Sequence, residues 1–156
     1  FMATMTDEER DEFLQEVRLG NLAIARLDKG PLLAPIWYQY TPGGTIDVCC
    51  GTNSAKAHRM RAEGRATLSV VDPDPRCYRY VAAEGTVELI PLGDATRETI
   101  LAMSSRYLGS RGGEAYTTEF MRRLAQDDFP GGGHGSEEVM ARITPINWRT
   151  EVLNGE

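Results

Sequence analysis

Lysine is scarce in this chain. Of 17 basic residues only Lys29 and Lys56 are lysines, and the remainder are arginines, a bias typical of GC-rich genomes. Cysteine is sparse too. Cys49, Cys50 and Cys77 are odd in number and lack any Cys-x-x-Cys spacing, which excludes a disulfide framework and a thiolate zinc site. Free thiols suit a reducing cytoplasm. No apolar run approaches the roughly 20 residues needed to cross a bilayer, and the acidic, polar start is unlike a signal peptide. A net charge of −6 with a pI near 5.0 argues against general nucleic-acid binding. No internal repeat is present. Neither a Ser-His-Asp set nor a carboxylate pair stands out, which suits a protein whose chemistry is carried by a cofactor.

What the chain has is enough for one folded unit. Its 156 residues, 41% of them hydrophobic, predict a single domain over 1–156. Phe1, ahead of Met2, is set aside. Thr6 followed by Asp7-Glu8-Glu9 starts a helix with a capping box, and that helix is expected to fill 1–20 and end at Gly20. Loose alternation over Asn21–Leu27 turns Leu22, Ile24 and Ala25 inward. A second strand spans Leu32–Tyr40, with Pro35 marking an edge or bulge. Thr41-Pro42-Gly43-Gly44 is a turn. Three consecutive strands thus form an antiparallel meander. Arg65–Val71 and Arg76–Ile90 are further strands, with Gly85 as a bulge. Residues 92–126 form a helical insertion of two helices, Asp94–Leu108 and Ala115–Leu124. A glycine-rich segment, 127–136, reads as a flexible surface loop that carries His134. Glu138–Ile143 and Ile146–Val152 close the chain as a strand pair or one bent strand. Consecutive strands predict a mainly β fold, a six-stranded antiparallel barrel with flanking helices.

One stretch carries most of the chemical information. Ile46, Val48 and Cys50 alternate along a strand, Gly51 ends it, and Thr52, Asn53 and Ser54 are all good helix caps. A helix opening there aims unpaired N–H groups and its positive dipole end at the strand tip, a ready site for phosphate. Lys56 falls in the first helical turn, where a cation is unfavourable to the dipole. A bound anion would account for it; a solvated lysine is the plainer alternative. His58, one turn on, reads as a surface residue.

The segment from Ala34 to Asp72 resembles the pyridoxamine 5′-phosphate oxidase-like family of split β-barrel flavin proteins. In that family a helix opens with Ser-Arg-Lys-Ala, matched here by Ser54-Ala55-Lys56-Ala57, and Glu63-Gly64-Arg65 and Tyr78–Glu88 fit the strands that follow. The resemblance implies a homodimer with two cofactor sites at its interface, holding FMN or the deazaflavin coenzyme F420. It places Ser54 and Lys56 on the cofactor phosphate. Pro35, Ile36 and Trp37 fall along the ring, and Cys50 and Gly51 beside the ring or its ribityl chain. Ala55 stands where many members have arginine, which removes a bidentate phosphate ligand; Arg59 or Arg61 would have to replace it.

These expectations describe an oxidoreductase that passes hydride from F420 to a small unsaturated or carbonyl substrate. The alternatives are an FMN-binding reductase or oxidase, a non-catalytic flavin- or haem-binding module, or a barrel dimer without cofactor. Arg79 either reaches a partner's cofactor or faces solvent. Tyr80 is a candidate proton donor. No metal, membrane or nucleic-acid partner is expected.

Overall fold

The computed structural model describes residues 2–153; Phe1 lies outside them. One antiparallel sheet organises the chain. Its strands are β1 (Met2–Ala3), β2 (Gly20–Ile24), β3 (Leu32–Ile36), β4 (Gln39–Tyr40), β5 (Ile46–Gly51), β6 (Arg65–Val71), β7 (Arg79–Pro91) and β8 (Glu138–Leu153). They run in the order β3-β2-β6-β7-β8-β5-β4, and β1 pairs with the far end of β8. The helices are α1 (Asp7–Gln15), α2 (Ala55–Glu63) and α3 (Thr96–Gln126).

The two edge strands, β3 and β4, are consecutive in the chain and separated only by Trp37 and Tyr38. Opposite edges of the sheet are therefore tied together by two residues, and the sheet must curl into a barrel that stays open between them. The sequence pattern suggests one strand over Leu32–Tyr40; the structure splits it here, because β3 pairs with β2 whereas β4 pairs with β5. Pro35 sits on an edge strand, where its missing N–H costs no inner ladder bond. Tyr38 is fully buried at the opening. Its hydroxyl donates to the Leu14 carbonyl at 3.0 Å, and its N–H donates to the Tyr107 hydroxyl at 3.1 Å. Burial pushes the Tyr38 phenol up to about 12.

Curvature comes from the long β7–β8 pair. The register shifts between Glu84 and Gly85, opposite Pro145, and a side chain at Gly85 would overlap the Thr144 carbonyl. The bulge falls where Gly85 marks it, and the last two predicted strands are one bent strand. Alternate residues of each strand, among them Leu22, Val48, Leu68, Val81 and Ala141, fill the barrel against Phe13 and Leu14 of α1 and Ala57 and Met60 of α2. Ala25 is exposed, contrary to its expected inward turn.

Two helices depart from their expected bounds. Thr6 does cap α1 through a full capping box. The helix nevertheless ends at Gln15, because Arg106 of α3 donates to the carbonyls of Leu14, Gln15 and Glu16, and so satisfies orphan acceptors of its last turn. Gly20 instead begins β2, where it admits Leu68 against its α-carbon. α3 is a bent hairpin. Gly109 leaves helical geometry at φ 74°, ψ 172°. Arg97 and Glu114 pair at 2.9 Å across the bend, although 17 residues of straight helix would separate them by about 25 Å. The Ser104 hydroxyl, donating to the Gly113 carbonyl at 3.2 Å and within 3.1 Å of the Thr117 hydroxyl, locks the two arms.

Candidate functional site

The stretch around Gly51 folds as its sequence directs. β5 ends at Gly51, Ser54 caps α2 by accepting from the Ala57 N–H at 3.2 Å, and Gly64 stops the helix in the left-handed region at φ 66°. The Ser54 hydroxyl also donates back to the Gly51 carbonyl at 2.7 Å, which closes the turn. The N–H groups of Ala55 and Lys56 meet no acceptor among the described residues. Lys56 is half-buried and has no ion-pair partner within 4.0 Å among the described residues. Such an arrangement favours an anion on both counts.

A cavity of about 440 Å³ opens beside this turn. Pro35, Ile36, Trp37, Cys50, Gly51, Ser54 and Lys56, all of them sequence-predicted, line it together. Leu19, Cys49, Ile100, Met103, Tyr116, Phe120, Phe129, His134 and Glu138 complete the wall. Most of this lining is apolar, and its few polar groups gather at the α2 end, the usual make-up of a small-molecule site. The Trp37 ring stacks on Tyr107 at 5.0 Å and tilts against Tyr116 at 5.0 Å, so both arms of α3 hold it in place. Burial pushes the Cys49 thiol up to about 12 and also raises Cys50, which makes both inert small hydrophobes in this wall.

Arg59, Arg79 and Tyr80 are not part of this cavity. Arg59 donates to the Ala25 carbonyl and pairs with Glu63. Arg61 is likewise engaged, donating to the Thr52 carbonyl at 2.6 Å and to the Thr52 hydroxyl at 2.8 Å, so it braces the turn. Both arginines are thus engaged elsewhere, and among the described residues Lys56 is the one lysine or arginine that lines the cavity. Arg79 pairs with Asp72 at 2.6 Å and lies over the Phe13 ring, neither free in solvent nor in this cavity. Tyr80 packs edge-on against Tyr78.

The glycine-rich segment is held, not loose. The Thr52 N–H donates to the Glu137 carbonyl at 3.0 Å, and the Asn53 N–H donates to the His134 carbonyl at 3.1 Å. The His134 ring packs on the bare α-carbon of Gly51, where any side chain would overlap it, and stacks on Phe129 at 3.8 Å. Its Nε2 lies 2.7 Å from Oε2 of Glu138, a carboxyl only 3% exposed. Burial raises the Glu138 pKa, against the opposing pull of His134 and Lys56. His134 therefore belongs to the cavity wall, where sequence reasoning put it on a surface loop. Glu138 and the aromatic arm of α3 gave no local signal. They meet the turn only through contacts 60 or more residues apart in the chain: the pairing of Gly51 with Glu138 brings the carboxyl there, and the packing of Tyr107 and Tyr116 on Trp37 brings α3.

An unclosed antiparallel barrel with flanking helices and a cavity beside its opening defines a split-barrel protein. The sequence pattern of the family described as Pyridoxamine 5'-phosphate oxidase matches residues 6–129. The chain belongs to that family. Solved structures agree on the fold. An F420 reductase is 22% identical, with 89% of this chain and 94% of that one covered and a TM-score of 0.64. A conserved hypothetical protein from Mycobacterium tuberculosis is 25% identical, covering 97% and 91%, with a TM-score of 0.70. A FAD-binding protein from Mesorhizobium loti is 20% identical, covering 99% and 98%, with a TM-score of 0.66. No curated protein matches the sequence.

Proposed function

We propose that this chain is a coenzyme-dependent oxidoreductase that holds F420, with FMN as the alternative, and reduces a small unsaturated or carbonyl compound. The observation that carries the reading is the cavity itself. An apolar, aromatic-walled space of about 440 Å³ runs up to a helix start with two free N–H groups and one unpaired ammonium. A flat ring with a phosphorylated tail matches that division into apolar and anion-binding ends. Family membership and the similarity to structures named as an F420 reductase and a FAD-binding protein support it.

The residues present fit such a coenzyme. Lys56 and the N–H groups of Ala55 and Lys56 would hold the phosphate. Pro35, Ile36 and Trp37 would lie along the ring, and Cys50 and Gly51 would touch the ring or its ribityl chain. The coenzyme, when bound, supplies hydride chemistry. The protein would bind and orient it, with Met103, Tyr116, Phe120 and Phe129 as the apolar wall that limits water in the cavity. Lys56 carries the anion-binding role alone because Ala55 brings no charge and both nearby arginines are engaged. The reading also takes the working form to be a homodimer, in which Arg79 of one protomer would reach its partner's coenzyme.

Titration of purified protein with reduced F420 and, separately, with FMN tests this. The expected result is saturable binding of one coenzyme per chain, followed by light scattering of a dimer and turnover on a panel of enones and carbonyl compounds. Protein that binds neither coenzyme overturns the reading. Tight FMN and no F420 binding shifts it to the flavin alternative.

A further inference from the structure

The cavity holds one acid–base couple that the coenzyme reading leaves unused. His134 and Glu138 both line it, 2.7 Å apart through Nε2 and Oε2. The His134 ring is fixed on three sides. One edge lies on the Gly51 α-carbon, one face on Phe129, and Nε2 on the buried carboxyl. The remaining nitrogen, Nδ1, has no hydrogen-bond partner among the described residues.

We propose that His134 is the proton donor of this site, and that Glu138 is the positioning residue that holds its ring. The inference deepens the coenzyme reading and rests on it. A hydride donor delivers two electrons and one hydrogen, so reduction of a carbon–carbon or carbon–oxygen double bond needs a proton as well. The cavity wall offers few sources. Cys49 and Cys50 on β5 and Tyr116 on α3 are held protonated by burial, and Lys56 on α2 stands at the anion end. Those four, with Glu138, are the titratable groups that the other cavity elements bring around His134.

When the pair holds two protons, Nδ1 is a donor wherever the shared one rests. If it sits on Oε2, the neutral imidazole carries its hydrogen on Nδ1. If it sits on Nε2, the imidazolium carries hydrogens on both nitrogens. The reduced coenzyme, when bound, would supply hydride to one end of the double bond. The Nδ1–H bond breaks and its proton bonds to the other end. The shared proton then settles on Nε2, which leaves neutral histidine against the Glu138 carboxylate, and solvent restores the missing proton. Substrate is reduced by two electrons and the coenzyme is oxidised by two.

Measurements on the purified protein decide it. In coenzyme-free protein, the Glu138 side-chain carbon, followed by NMR against pH, should titrate higher in His134→Gln than in wild type, because the neighbour that lowers its pKa is gone. Coenzyme affinity of His134→Gln should stay within about threefold, while the rate of reduction at saturating coenzyme falls roughly 100- to 10,000-fold. The pH dependence of that rate should flatten in His134→Gln, and free imidazole should restore part of the rate to His134→Gly. A Glu138 titration that does not move breaks the pairing. Unchanged rate and pH profile in a variant that still binds coenzyme overturn the donor role. Wild-type protein that binds no coenzyme overturns the coenzyme reading, and the donor role with it, even where the Glu138 titration moves as expected.

Discussion

Lys56→Ala separates anion binding from fold stability, because the two effects have opposite signs. The ammonium is half-buried, lines the cavity and has no carboxylate within ion-pair distance among the described residues. Its contact with a phosphate would be a charge-assisted hydrogen bond contributing about 1.5–3 kcal/mol. Removing it should weaken coenzyme binding roughly 10- to 150-fold. The fold should not suffer. A cation in the first turn opposes the helix dipole by about 0.3–1 kcal/mol, and alanine has the higher helix propensity, by a few tenths of a kcal/mol. Thermal unfolding without coenzyme should therefore occur at the same temperature or slightly higher. Fluorescence titration with F420, run beside a melting curve of the same preparation, reads both quantities. Lys56→Arg should recover most of the affinity. An affinity within twofold of wild type in Lys56→Ala would refute the anion site. A matching loss of stability would show that the lysine braces the turn instead.

Gly51→Ala must displace the His134 ring and carbonyl, so it should cost about 1–3 kcal/mol by overpacking and loosen the 127–136 segment, seen as faster amide exchange at Thr52 and Asn53. Native protein at pH 8 should release one thiol equivalent to a thiol reagent, from exposed Cys77, because a Cys49 pKa of about 12 leaves roughly one thiolate in ten thousand; three equivalents should appear on unfolding. Arg122 and Arg123 hold the Glu119 carboxyl down to about 2. A lowered acid stabilises the fold above its unfolded pKa, near 4.3, and loses that contribution as pH falls toward 2. Glu119→Gln should therefore narrow the stability gap between pH 6 and pH 3, measured by urea unfolding. Because this carboxyl is exposed, the change should be small and should shrink in high salt.

The elements that depend on neighbours in sequence were readable from the residues. Thr6 with Glu9, Ser54 with Gly64, the alternation of Ala66, Leu68 and Val70, and the bulge at Gly85 are each set by a few adjacent side chains, and each stands where the pattern puts it. What escaped was set at long range. A strand pattern is continuous over Leu32–Tyr40, and nothing local says that its two halves pair with opposite edges of the sheet. Gly20 reads as a helix stop, yet its role is to admit Leu68, and Arg106, some 90 residues away, is what caps α1. A run of glycines suggests mobility. A backbone bond from Asn53 to His134, another from Thr52 to the adjoining Glu137, and the His134 ring on Gly51 hold it instead, and no periodicity announces those. The half of the site on β3, β5 and α2 was thus legible, and the half on α3 and the 127–136 segment was not.

The most direct test of the central claim is a crystal structure of the protein with F420 bound. The account predicts the coenzyme phosphate at the start of α2, within hydrogen-bond distance of the Lys56 ammonium and the Ala55 and Lys56 N–H groups, with the ring along Pro35, Ile36 and Trp37. A coenzyme bound elsewhere, or a phosphate held without Lys56, would contradict it.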